Sequence, residues 1–280
     1  MPTLRLEGSL FLPDQLEKAA LGRANYQTEA DYRIPKGLKL KDEFSRAFQI
    51  ASAQWKHFAS QQERQDLDTY QLTQRFVVEL LQDALGYSLV EINTITLAER
   101  IYPVTHMATH HVPIIIAPYT LGLDDADERF AIVGSGTRKK SPFQLAQEFL
   151  NASQQHTWAI VSNGKQIRLL RDSATLTRPS YVEFDIQDML GGLRFAEFEA
   201  CWRLLHVSRT YGGEAEASIW EMWRNDGQSE GTRVREGLRE GVTQALLTLG
   251  EGFLQHPAND SIRQVLMDGE LSKDEYFRQL

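Results

Sequence analysis

Residues 141–170 read SPFQLAQEFLNASQQHTWAIVSNGKQIRLL. Ser141 is placed to cap a helix, Pro142 suits its first turn, and Gln144 completes a capping box, so the spacing predicts a helix to about Asn151. Trp158 to Val161 reads as a buried strand. Asn163-Gly164 is a strong hairpin turn, and Ile167 to Leu170 returns as the second strand. A capped helix feeding a β-hairpin points to a mixed α+β fold.

Strand-like runs surround this unit. Leu89 to Thr96, Val112 to Ala117 and Phe130 to Val133 precede it, and Tyr181 to Ile186 alternates after it. Upstream, Phe44, Phe48, Ala51, Trp55 and Phe58 share one face of a helix over 42–64. Leu72, Phe76, Leu80 and Ala84 mark a second helix that stops at Gly86. Downstream, Phe195, Phe198, Trp202 and Leu205 give the inner face of another. Helices over 214–224 and 230–253 follow, the first carrying Ile219, Trp220 and Trp223. The second carries an apolar stripe from Val234 through Leu238, Val242, Leu246 and Leu249 to Phe253. Gly237 and Gly241 inside it suggest close packing against another helix. Ser272 and Glu275 form a second capping box just before residue 280, which implies a truncated architecture or a helix docked on a partner. Prolines and glycines break up residues 1–41, which read as an irregular surface arm.

The chain has 280 residues, 30 basic and 38 acidic, for a net charge of −8. That balance argues against a protein that coats nucleic acid without specificity, but leaves room for a local basic groove. A single cysteine, Cys201, excludes an intramolecular disulfide. No apolar run approaches the length of a membrane span, and no signal peptide is visible, so the expected home is cytoplasmic, with no membrane partner.

The order of helices and strands is that of a PD-(D/E)XK nuclease core. Such a core needs an Asp at the end of one strand and Glu-x-Lys in the next, to hold a metal and position water. His110-His111-Val112-Pro113-Ile114 and Phe130-Ala131-Ile132-Val133-Gly134-Ser135-Gly136 supply neither. Asp124, Asp127 and Glu128 stand in the loop before the latter stretch and are the metal ligands of a runner-up reading as an active nuclease. A solvated acidic loop is the favoured account of them. His106 and His110 have a zinc-like spacing, but flanking prolines favour a loop with exposed imidazoles. The Gly134-Ser135-Gly136 turn is similar to a methyltransferase glycine loop, yet the chain has no Asn-Pro-Pro-aromatic tetrapeptide.

Between Val133 and Arg171 there are six basic residues and one acid. Arg138, Lys139 and Lys140 lie directly before Ser141, where free helix N–H groups and the dipole would favour an anion. Lys165 and Arg168 follow in the hairpin. These residues are the candidate nucleic-acid contacts, through the phosphate backbone. The competing account is a basic loop that balances its acidic neighbour.

The stretch from Ser141 to Ala152 resembles one in large bacterial DNA methyltransferases of the fused type IIG restriction–modification kind, some of them from phage-defence systems. Trp158 to Gly164, Arg168 to Asp172, Leu176 to Pro179, Gly252 to Pro257, Gly269 to Leu271 and Tyr32 to Leu38 extend the likeness. The resemblance implies a region that precedes an adenine-N6 methyltransferase domain. It is also similar in outline to the nuclease-like N-terminal domain of type I restriction subunits, where Ser162-Asn163-Gly164 finds its match. The implied architecture is α+β, with a helical N-terminal segment, a degenerate restriction-endonuclease-like core and a helical C-terminal segment. Its divisions fall at 1–41, 42–190 and 191–280. The implied role is a non-methylating DNA-binding or regulatory module with no catalytic residues and no cofactor of its own. S-adenosylmethionine would belong to a further C-terminal domain. A protein-interaction scaffold of a defence complex, bound to other subunits, is the third reading.

Overall fold

A computed structural model describes residues 1–108, 112–136, 138–172, 179–210 and 218–279. It is α+β and divides into two units, residues 1–227 and 228–280.

The first unit is built on a seven-stranded sheet. Its strands, in chain order, are β1 (Leu4–Glu7), β2 (Leu89–Glu91), β5 (His106–Ala108), β6 (Val112–Ile116), β7 (Trp158–Ser162), β8 (Gln166–Arg171) and β9 (Tyr181–Asp185). The spatial order is β1-β9-β8-β7-β6-β5-β2. Two further strands, β3 (Ile95–Leu97) and β4 (Arg100–Tyr102), pair as a separate ribbon. Only β6 and β7 run parallel, with Ile114 opposite Ile160 and Ile116 opposite Ser162. A parallel pair needs a crossover, and helix α4 (Pro142–Ala152) lies between β6 and β7 in the chain.

Side chains alternate across a strand, so each strand feeds both faces of the sheet. Ile114, Ile116 and Ile160 face one core, shared with the apolar stripes of α2 (Leu40–Gln61) and α3 (Thr69–Glu79). Ile115, Ala159 and Val161 face the other, shared with Phe143, Leu145, Ala146, Phe149 and Leu150 of α4. The predicted faces of α2 and α4 are therefore the buried ones. Phe58 stacks on Phe76 with ring centroids 4.4 Å apart, joining α2 to α3. Asp68 caps α3, accepting from Gln71 N at 2.7 Å. A π-helical turn, Leu80–Ala84, follows α3, and Gly86 ends the segment at φ 77°.

Three expectations change. Residues 1–41 are not an irregular surface arm: they supply β1 and α1 (Pro13–Ala20), and Leu10, Phe11, Leu16 and Tyr32 are core residues. Proline and glycine hide these short elements, whose apolar groups are covered by distant chain. Residues 130–133 form no strand. Glu128–Phe130 is a 3₁₀ turn, and Val133 makes only an isolated bridge to Ile101. The run 89–96 is split between β2 and β3, which belong to different sheets.

Helices α5 (Ile186–Gly191) and α6 (Phe195–Leu205) complete the first core with Met189, Phe198, Trp202 and Leu205. Helix α7 (Ile219–Gln255) is continuous where two helices were expected. Trp220 and Trp223 near its start are fully buried. In the second unit, Val234, Leu238, Val242, Leu249 and Phe253 are exposed. A Cβ added at Gly237 or Gly241 would meet nothing within 4 Å among the described residues, so none of their helices packs there. Helices α8 (Asp260–Met267) and α9 (Lys273–Gln279) end the unit. The Ser272–Glu275 capping box forms, and α9 docks within the chain: Tyr276 is buried and its hydroxyl donates to Gly250 O at 2.8 Å.

Candidate nucleic-acid interface

The C-terminal ends of β6 and β7 lie side by side, Ala117 N donating to Ser162 O at 2.8 Å. From here one chain enters the loop 117–127 and the other turns through Asn163-Gly164. Asn163 joins the two, because its Nδ2 donates to Leu121 O at 2.9 Å. Its Oδ1 meanwhile accepts from Lys165 N at 3.1 Å and Gln166 N at 2.9 Å, which holds the turn. Gly164 adopts φ 79°, and a Cβ there would lie 3.0 Å from Phe58 and 3.1 Å from Thr73. The hairpin tip is thus seated on α2 and α3. The carboxyl ends of strands flanking a crossover are where open α/β sheets bind ligands. The segment 138–140 leads into α4 at this end, and Asp127 pairs with Lys140 through backbone hydrogen bonds.

The structure separates the candidate cations into two groups. Arg168 is buried at 4% exposure. It stands directly across from Glu183 in the β8–β9 register and donates to it through Nε at 2.5 Å. Its two terminal nitrogens hold Asp124 at 2.7 and 2.8 Å. The guanidinium also lies over Tyr181, 4.1 Å from the ring centroid. Burial alone would lower the Arg168 pKa, but the hydrogen bonds it donates to Asp124 and Glu183 outweigh it and raise it. The same bonds hold the Asp124 carboxyl below its ordinary range. Buried and held by two carboxylates, Arg168 is placed as a clamp between loop 117–127 and the sheet rather than as the open phosphate contact expected of it. Lys140 is mostly buried and paired with Glu148.

The second group is open. Arg138 is exposed and makes no ion pair among the described residues. Lys139 meets Glu128 at 3.7 Å, with both side chains more than half exposed; such a surface pair is weak and exchangeable. Lys165 is half-buried, its ammonium 5.4 Å from the Tyr119 ring centroid.

The helix start itself is closed. Ser141 Oγ accepts from Gln144 N, and Gln144 Oε1 accepts from Ser141 N, both at 3.1 Å. Pro142 has no N–H, and Phe143 N donates to Leu123 O at 3.1 Å. The capping box is as predicted. The free N–H groups expected to attract an anion are consumed, because a carbonyl from the loop takes the donor the cap leaves.

The acidic loop is likewise engaged. Asp124 serves Arg168. Asp125 accepts from Gly122 N at 3.0 Å, and Asp127 accepts from Arg129 N at 2.9 Å. Among the described residues no three His, Cys, Asp or Glu side chains converge as metal ligands. Strand β6 carries Val-Pro-Ile-Ile-Ile, every residue buried. Gly134-Ser135-Gly136 is a local turn, Ser135 N donating to Ile132 O at 3.2 Å. His106 is not an exposed loop imidazole: it is buried in β5, where burial lowers its pKa. His110 and His111 lie outside the described residues. Cys201 is buried among core residues, which pushes its thiol pKa up. The indoles of Trp202, Trp220 and Trp223 donate to Ala84 O, Leu204 O and Asn25 O, so these rings serve the core.

Glu183 is the residue that sequence reading passed over. Its signal is faint but present: Arg168 and Glu183 each interrupt a buried apolar strand, and two such interruptions of opposite charge call for a cross-strand pair.

No family model, curated protein or solved structure matches the chain.

Proposed function

We propose that this chain is a nuclease-like module without a cleavage centre, serving a DNA-modification or phage-defence methyltransferase as a non-methylating DNA-binding or regulatory part. One observation carries the reading. With the β3–β4 ribbon set aside as an insertion between β2 and β5, helix α3, the antiparallel strands β2, β5 and β6, crossover helix α4 and the parallel strand β7 come in the element order of a restriction-endonuclease-like core. Because residues 130–133 form no strand, this reading moves the Glu-x-Lys position expected there to β6, which carries Ile114, Ile115 and Ile116 instead. The resemblance of Ser141–Ala152 and Trp158–Gly164 to methyltransferase-associated regions supports the DNA-processing context.

The proposed contact surface is the open group at the β6–β7 end: Arg138, Lys139 and Lys165. Phosphate contact there would position DNA without reading its sequence. The scaffold reading is favoured by a separate observation, the neutralisation of Lys140 and Arg168 by Glu148, Asp124 and Glu183.

Fluorescence anisotropy of a labelled duplex across a salt series tests the choice. Neutralising Arg138 and Lys139 together should reduce the magnitude of the log K against log salt slope by about two, at roughly 0.9 per phosphate contact. Affinity should fall about equally on all sequences. Identical slopes for wild type and variant would reject the DNA surface and leave the scaffold. The chain should bind no adenosylmethionine in calorimetry and leave plasmid supercoiled with magnesium or manganese. Nicking abolished by Asp124→Ala with Glu128→Ala would reinstate the nuclease.

A further inference from the structure

The second unit presents an apolar face that stays exposed among the described residues. Val234, Leu238, Val242, Leu246, Leu249 and Phe253 are 58, 64, 58, 39, 57 and 45% exposed. At 100° per residue they fall within an arc of about 120° on α7, a full amphipathic stripe turned to solvent. The chain's own covering lies elsewhere on the helix, where Tyr276 of α9 reaches Gly250 O. The six side chains expose on the order of 500 Å² per copy, so pairing two copies would bury about 1,000 Å² before flanking residues are counted, the threshold for a specific interface.

We infer that this stripe is the interface of a homodimer in which α7 of one copy lies antiparallel on α7 of another. The stripe is self-complementary in that direction. Val234 and Phe253, and Leu238 and Leu249, are related by reversal about the midpoint of residues 243 and 244, and the same register sets Leu246 opposite Gly241 and beside Val242, as an isologous two-fold contact requires. Size matches as well as position. The carboxyl half carries Leu246, Leu249 and Phe253, while the amino half carries Leu238, two valines and the bare backbone of Gly241. A Cβ at Gly241 would meet nothing within 4 Å, so the Leu246 side chain of a second copy can seat against it. A parallel pair would instead set Phe253 against Phe253 and leave a void between the two Gly241 residues. A monomer would keep this whole apolar stripe in contact with water.

The test uses the full chain of 31.9 kDa. Sedimentation equilibrium at micromolar concentration should return twice that mass, and Leu238→Glu with Leu249→Glu should return the single mass with unchanged tryptophan fluorescence. Since the charged variant could unwind the helix, cysteine cross-linking gives an independent reading. Cys201 is 2% exposed and does not interfere. A mixture of Leu238→Cys and Leu249→Cys chains should form a mixed disulfide under mild oxidation. Leu238→Cys alone should not, because its two copies would lie about 16 Å apart along the antiparallel pair, at 1.5 Å per residue. A monomeric wild type would overturn the proposal, and so would a disulfide formed by Leu238→Cys alone.

Discussion

Replacing Arg168 by Ala should cost the first unit far more than any neighbouring charge change, and the structure sets the scale. The substitution strips Glu183, 8% exposed, of its Nε donor at 2.5 Å. Removing one partner from a buried ion pair costs about 3–5 kcal/mol, because the other charge stays desolvated without its counter-charge; Glu183 keeps only the hydrogen bond that Gln166 Nε2 donates at 3.3 Å and the Arg5 opposite it in the β1–β9 register. The Asp124 side of the clamp differs. That side chain is 66% exposed, and Arg168 keeps Glu183 as its counter-charge when Asp124 is neutralised, so Asp124→Asn should cost about 1 kcal/mol or less. For a unit of this size, each kcal/mol lowers the melting temperature by about 2–4 °C. Arg168→Ala should therefore melt on the order of 10 °C lower, and Asp124→Asn only a few degrees lower. Urea unfolding followed by tryptophan fluorescence measures both, since Trp158, Trp202, Trp220 and Trp223 are buried in this unit. The cause can be isolated with Glu183→Gln. In the Arg168→Ala background it removes the orphaned charge and should recover part of the loss, a coupling that a double-mutant cycle reads directly. Equal costs for Arg168→Ala and Asp124→Asn, or no recovery in the double variant, would refute the assignment of Arg168 as a buried clamp. The same measurement guards the DNA experiment, because lost binding in an Arg168 variant reports unfolding rather than a missing phosphate contact.

Other expectations follow from the same geometry. Gly164→Ala combines a left-handed backbone with a Cβ forced to within about 3 Å of Phe58 and Thr73; it should destabilise by about 1–3 kcal/mol in urea unfolding and change Lys165-dependent DNA affinity only through folding. His206 stacks on Trp202 at 4.1 Å, and burial, with Arg209 and Arg46 nearby, lowers its pKa to about 3. The folded state thus resists protonation while the unfolded chain accepts a proton near pH 6.5, so stability is complete above that pH and falls between about 6.5 and 3. His206→Gln should flatten this part of the stability–pH curve; an unchanged slope would assign the acid sensitivity to other groups.

Local signals were legible wherever short-range chemistry decides the outcome. The Ser141–Gln144 and Ser272–Glu275 boxes, the Asn163-Gly164 turn and the buried faces of α2 and α4 each depend on residues a few positions apart, and each appears where its spacing places it. What lies across a face is a different matter. A 3.6-residue period shows that a stripe is apolar, but the α4 stripe is buried and the α7 stripe is bare, because only the sheet's position determines which one is covered. Strand β1 drew no attention, since its four residues gain their place by pairing with β9, Leu4 opposite Phe184, across most of the chain. The basic stretch shows the limit most sharply. Arg138, Lys139, Lys140 and Arg168 are alike as sequence, each a cation in a cation-rich run. Their environments diverge because Glu148, nearly two helical turns into α4, reaches back to Lys140, and Glu183 stands opposite Arg168 in a register that nothing local specifies. The capped start of α4 was readable, yet its last free N–H was claimed by Leu123 from a loop whose path only the folded chain defines. Charge and capping are properties of residues, whereas the availability of a charge or a donor depends on what the tertiary structure brings within about 3 Å of it.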